Sequence, residues 1–110
     1  MMQSTEVFAA IADPTRRAIL DAIADRELSA GDIAARFPVS RPAISRHIRV
    51  LREAGLVRER RDAQSRFYSV NAAPLRDVDR WLDRYKVFWA ARLHAIKRVS
   101  ESEHQRSESR

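Results

Sequence analysis
The stretch that most narrows the fold is residues 38–57, PVSRPAISRHIRVLREAGLV. Placed on a helix over 40–54, Ile44, Ile48 and Leu51 fall at i, i+4 and i+7, with His47 and Val50 beside them. One side is therefore apolar. Arg41, Ser45 and Arg49 run along another line at i, i+4 and i+8. Pro42 and Arg46 lie next to that line, and Arg52 continues the basic side. Ser40 is a good N-cap, Pro42 is harmless in the first turn, and Gly55 is a natural stop. Two alternating segments follow, LVRERR and SRFYSV, separated by DAQS, and they read as a short β-hairpin.

The elements before this stretch are helical. In TEVFAAIA, Val7, Phe8 and Ile11 share a face. Asp13 caps DPTRRAILDAIA, where Pro14 takes the first position and Ala18, Ile19, Ala22 and Ile23 form the stripe. In LSAGDIAARF, Ser29 and Asp32 resemble a capping box, and the helix must stop before Pro38. After the hairpin, a long aromatic helix runs from near Pro74 to about Val99. Residues 100–110 carry no apolar side chain, so a disordered polar tail is expected there after a domain over 1–99. The fold class is mainly α with a small β-hairpin, in the order α-α-α-α-β-β-α. Two helices joined by PVSR and followed by a hairpin is the order of a winged helix-turn-helix.

Charge sharpens this reading. The net charge is +6, and residues 41–66 alone set eight arginines against Glu53, Glu59 and Asp62, a net of +5. Positive charge concentrated in this way suits a polyanion such as double-stranded DNA. A major groove admits one α-helix, and arginine is the usual bidentate reader of guanine. Residues near the helix N-terminus reach deepest, while later ones meet phosphates. Arg41, Ser45 and Arg46 are therefore assigned to base edges, with Pro42 beside them, and Ser40 and Arg49 to phosphates. Arg52 either pairs with Glu53 or stays in solvent. At the hairpin, Arg61, Gln64, Ser65 and Arg66, with Arg60 alongside, are assigned to the backbone or minor groove.

The last helix carries a stripe through Leu75, Val78, Leu82, Tyr85, Trp89, Leu93 and Ile96, widened by Trp81 and Phe88. This is more apolar surface than a single small core requires, so a homodimer interface is expected, joined by Val7 and Phe8. The same helix leaves an unidentified small-molecule effector open as a further partner.

These blocks resemble the ArsR/SmtB family of bacterial winged helix-turn-helix regulators. The resemblance covers residues 5–98 and rests on FAAIADPTRRAIL, on ELSAGDIAARFPVSRPAISRHIRVLREAGLV and on RFYSV after the wing. It implies a homodimer that represses transcription from an imperfect inverted repeat, with the first and last helices at the interface. WLDRYKVFWAARLHAIK looks like the metal-independent branch. Relatives commonly have glycine at the wing tip, where this chain has DAQS.

Metal-sensing members of that family use cysteines, or Asp and His on the last helix. This chain has no cysteine. Aligning the last-helix pattern on His94 leaves only Asp83 and His94 as ligands, too few for a zinc site. No metal and no cofactor are expected. His47 reads as a hydrogen-bonded core residue, and His104 lies in the tail. No Ser-His-Asp spacing or glycine-rich phosphate loop is present, so an enzyme is not expected. The absence of cysteines and of a signal-peptide pattern fits a cytoplasmic protein, and no apolar run is long enough for a bilayer. The competing reading is a winged-helix dimer that binds a protein partner without specific DNA binding. It predicts that Arg41 and Arg46 are dispensable.

Overall fold
The computed structural model describes the backbone of residues 2–108 and the side chains of residues 5–92. Met1–Val78 and Asp79–Arg110 form two compact units.

The first unit opens with α1 (Met2–Ala12) and α2 (Pro14–Ile23). Asp13 separates them and caps α2, its carboxylate accepting the Arg16 backbone N–H at 3.0 Å. β1 (Leu28–Ser29) and α3 (Ala30–Ala34) follow, and the Ser29 hydroxyl accepts the Asp32 N–H at 3.1 Å. α4 (Arg41–Glu53) begins at the Ser40 cap, whose hydroxyl accepts the Ala43 N–H. It ends on Gly55, whose φ of 79° continues no right-handed helix. The Gly55 N–H bonds the Arg52 carbonyl and the Leu56 N–H bonds the Leu51 carbonyl, a Schellman ending. This reversal sends the chain straight into the sheet.

β2 (Val57–Asp62) and β3 (Ser65–Val70) are antiparallel, from Val57 opposite Val70 to Asp62 opposite Ser65. The expected two-stranded hairpin is the larger part of a three-stranded sheet in the order β1-β3-β2. Leu28 pairs with Tyr68 and Ser29 with Phe67. β1 is only two residues long, too short to show an alternating pattern. The turn is Ala63–Gln64, with Ala63 at φ 56° where glycine is the usual occupant.

Ile19, Ile23, Ile33, Ile44, Leu51, Leu56 and Val7 are the largest fully buried side chains of the core. Val7 therefore belongs to the chain's own core, which corrects its assignment to a face between subunits. Leu75 and Val78 also pack against this core while partly exposed. Phe8 is half-buried.

A 3-10 turn (Ala73–Leu75) leads into α5 (Arg76–Glu108). The helix is longer than the sequence reading gives it and runs through residues 100–108. No glycine or proline interrupts that segment, and its Glu, Gln and Arg residues are good helix formers. Within the second unit, the Trp81 and Tyr85 rings lie 5.3 Å apart, and Lys86 pairs with Asp79 and Asp83.

Candidate nucleic-acid interface
α4 is anchored by its dry side and presents its basic side. Ile44, Ile48 and Leu51 are buried, while Arg41, Pro42, Ser45, Arg46 and Arg49 are exposed. A polar tie fixes α4 from the interior side. Arg16 Nε donates to the Ala10 carbonyl at 2.7 Å and Nη2 to that of Ala9 at 3.0 Å, closing the end of α1. Its Nη1 lies 3.3 Å from His47 Nδ1 on α4. A guanidinium has no acceptor, so the imidazole accepts in this contact. His47 is hydrogen-bonded as expected, but it is half-buried and lies outside the buried core. The Arg16 backbone N–H holds the Asp13 carboxyl below the usual carboxylate range, and the Arg16 side-chain charge adds to this.

The wing lies along the same face. Arg41 shares a cleft with Gln64, Ser65 and Arg66 of the hairpin tip and with Ser29, Ala30 and Gly31. A second cleft brings Ser45, Arg49 and Arg52 of α4 together with Arg66 and Tyr68. Arg66 borders both, so it links the two halves of the basic surface. Arg61 stands opposite it on β2. Two exposed guanidiniums facing each other across a strand pair repel, a cost that a bound anion would remove. Pro42 and Arg46 are exposed on α4 but border neither of these clefts.

Two arginines of this segment are held by carboxylates at hydrogen-bonding distance. Arg52 pairs with Glu59 at 2.9 Å, where the sequence suggested Glu53 or solvent. Arg60 on the outer face of the hairpin is held by Glu27. The reading of the sequence missed Glu59, Glu27 and the Ser29–Gly31 edge. Each is placed by sheet pairing, which no local spacing reveals.

Among the described residues no cluster of three or more His, Asp or Glu side chains is arranged to hold a metal ion. Among them, too, no helix is long and apolar enough to cross a membrane.

The match to known proteins follows this geometry. Residues 11–60, which hold α2 to α4 and most of β2, match a helix-turn-helix domain family. The transcriptional repressor SdpR of Bacillus subtilis is 43% identical over 76 residues, covering 69% of this chain and 84% of that protein. An ArsR-like transcriptional regulator from Rhodococcus sp. RHA1 superposes with a TM-score of 0.71 at 38% identity, over 92% of this chain and 93% of that one. The chain belongs to the ArsR family. It is a DNA-binding transcriptional regulator with a winged helix-turn-helix, mainly helical and carrying a small antiparallel hairpin. The HTH-type regulator Rv2034 of Mycobacterium tuberculosis, 39% identical over 94 residues, covers 86% of this chain and 85% of its own length. The ArsR family comprises DNA-binding regulators rather than enzymes.

Proposed function
We propose that this ArsR-family regulator works as a cytoplasmic homodimeric repressor on an inverted-repeat operator. α4 enters the major groove, with Arg41, Ser45 and Arg46 at base edges beside Pro42, and with Ser40 and Arg49 on phosphates. Arg61, Gln64, Ser65 and Arg66 follow the backbone or minor groove. The observation that carries this reading is the convergence of Arg41 and the wing tip on one cleft, with Arg66 also bordering Ser45 and Arg49. A helix and a strand pair thus offer donors on one continuous surface, as a duplex requires.

Dimerisation is supported by α5. Trp81, Tyr85, Phe88 and Trp89 are all substantially exposed, Phe88 to 66%. Aromatic side chains on one face of a helix favour burial against a second copy. Two-fold symmetry then sets two copies of α4 about 34 Å apart, one turn of DNA. Leu82 is half-buried on the same helix, and the side chains of Leu93 and Ile96 lie outside the described residues. Repression is favoured by the likeness to SdpR, a named repressor, although the Vibrio cholerae relative HlyU, 36% identical, is named an activator. The partners are double-stranded DNA and a second copy, and a small-molecule effector stays open as a further one.

The test is fluorescence anisotropy on DNA from upstream of the protein's own gene, against random DNA, across a salt series. Tight, selective binding that weakens steeply with salt supports the reading. No binding to either DNA at low salt would instead favour a protein partner for the arginine face.

A further inference from the structure
The inner face of the hairpin changes character along its length. At its base, Val57 is buried opposite Val70, and at its tip Arg61 and Arg66 are exposed. Between them stands the pair Glu59 and Tyr68. Glu59 is the one acidic side chain among the residues of this face, and only 19% of it is exposed. Its Oε1 accepts from Arg52 Nη1 at 2.9 Å and from the Tyr68 hydroxyl at 3.0 Å, and lies 3.8 Å from Arg66 Nη1. One carboxylate therefore holds an arginine of α4 and restrains an arginine of the wing.

A negative charge on a surface that meets DNA weakens binding to every sequence. A neutral amide of the same shape would still accept the Tyr68 O–H and an Arg52 N–H. What the charge adds is a grip on two guanidiniums. Arg52 lies on the same edge of α4 as Ser45 and Arg49, beside the cleft they share with Arg66. Released, it would reach for phosphate on any duplex. Phosphate contacts add affinity without sequence information.

We propose that Glu59 is a specificity-determining residue that acts by positioning: it withholds Arg52 from phosphates and restrains Arg66, and so limits binding to DNA of arbitrary sequence. The proposal rests on the α4–hairpin surface being the face that meets DNA. It treats Arg52 as a reserve of charge kept out of the interface.

The experiment compares the full chain with Glu59→Gln on random-sequence duplex by anisotropy across a salt series. Glu59→Gln is expected to bind random DNA several-fold more tightly. The slope of log affinity against log salt should steepen by about one, the contribution of the released Arg52. Arg52→Gln should leave the parent's slope unchanged and cancel the steepening in the Glu59→Gln background. Tyr68→Phe, which removes the phenol bond but keeps both guanidinium contacts, should lower the melting temperature and leave the slope alone. An unchanged slope in Glu59→Gln overturns the proposal. So does a lower slope in Arg52→Gln alone, or a Tyr68→Phe slope that matches Glu59→Gln. A parent protein with no salt-dependent binding removes the DNA-facing surface, and the proposal with it.

Discussion
Arg60 grips the Glu27 carboxylate as a fork, Nε donating to Oε2 at 3.0 Å and Nη2 to Oε1 at 2.7 Å. Its guanidinium also lies over Phe67, 4.8 Å from the ring centroid. The contact joins the outer face of β2 to the segment leading into β1, 33 positions earlier. Arg60 is therefore a clasp on the sheet, and its charge is spent on Glu27. Arg66 borders both clefts of the basic face.

The two arginines should respond differently to truncation. Arg60→Ala is expected to lower the thermal midpoint and leave the salt slope of DNA binding unchanged. Arg66→Ala should reduce that slope by about one, with a smaller change in stability. Thermal melts and anisotropy on the same samples separate the cases. Equal loss of slope in both variants would place Arg60 on the DNA.

Arg46 is the sharper test of base reading. It is exposed in the first half of α4 and is engaged by no acid among the ion pairs found. Arg46→Ala should cost about 1–3 kcal/mol on the cognate site and relax discrimination at one position. Anisotropy against a panel of single-base operator variants measures this. An unchanged preference across the panel removes Arg46 from the reading set.

The hairpin is governed by two backbone positions of opposite fitness. Gly55 sits at φ 79°, which a side chain tolerates poorly, and Gly55→Ala should destabilise by about 1 kcal/mol. Ala63 sits at φ 56° without the freedom of glycine. Ala63→Gly should stabilise by about 0.5–1 kcal/mol, after allowing for the added freedom of the unfolded chain. Urea titration should move the two midpoints in opposite directions. A lower midpoint for Ala63→Gly would mean that the methyl group has a packing role.

The caps and stripes were legible because each needs only near neighbours. Asp13 and Ser40 each accept a backbone N–H three positions on, and Ile44, Ile48 and Leu51 declare a buried side by spacing alone. What spacing does not say is what buries a side. Val7 has the periodicity of an interface residue and serves the chain's own core. The sheet contributed most of what was hidden. Leu28 is buried through a two-residue strand, and the Arg52–Glu59 and Arg60–Glu27 pairs exist only once strand order and register are fixed. The basic face was readable as a run of arginines, but its division into exposed and retained members was not.

Two carboxylates should link stability to pH at the acid end. The backbone N–H of Arg16 holds Asp13 below its ordinary range, and the Arg60 side chain does the same for Glu27. A depressed folded pKa gives stability that is present above the unfolded value and lost as pH falls through the folded one. The loss should therefore begin near pH 4 and continue below it. In Asp13→Asn and Glu27→Gln, melting temperatures should depend less on pH across that window. Parallel pH curves for parent and variants would show that other carboxylates govern the acid limb.

Trp89 tests the link between assembly and DNA binding. Both tryptophans of the chain, Trp81 and Trp89, lie on α5, and each is 49% exposed. If α5 buries its aromatic face against a second copy, truncating Trp89 removes one of the largest apolar areas available there. Trp89→Ala should then sediment with a larger monomer fraction at micromolar concentration. Operator affinity should fall with it, because two copies of α4 must act together on two half-sites. Binding to random DNA should change much less, since each monomer keeps its own arginines. Intrinsic fluorescence gives an independent reading, as dilution of the parent should shift emission toward that of water-exposed indole. A Trp89→Ala protein that remains a tight dimer in sedimentation would place the interface on another face.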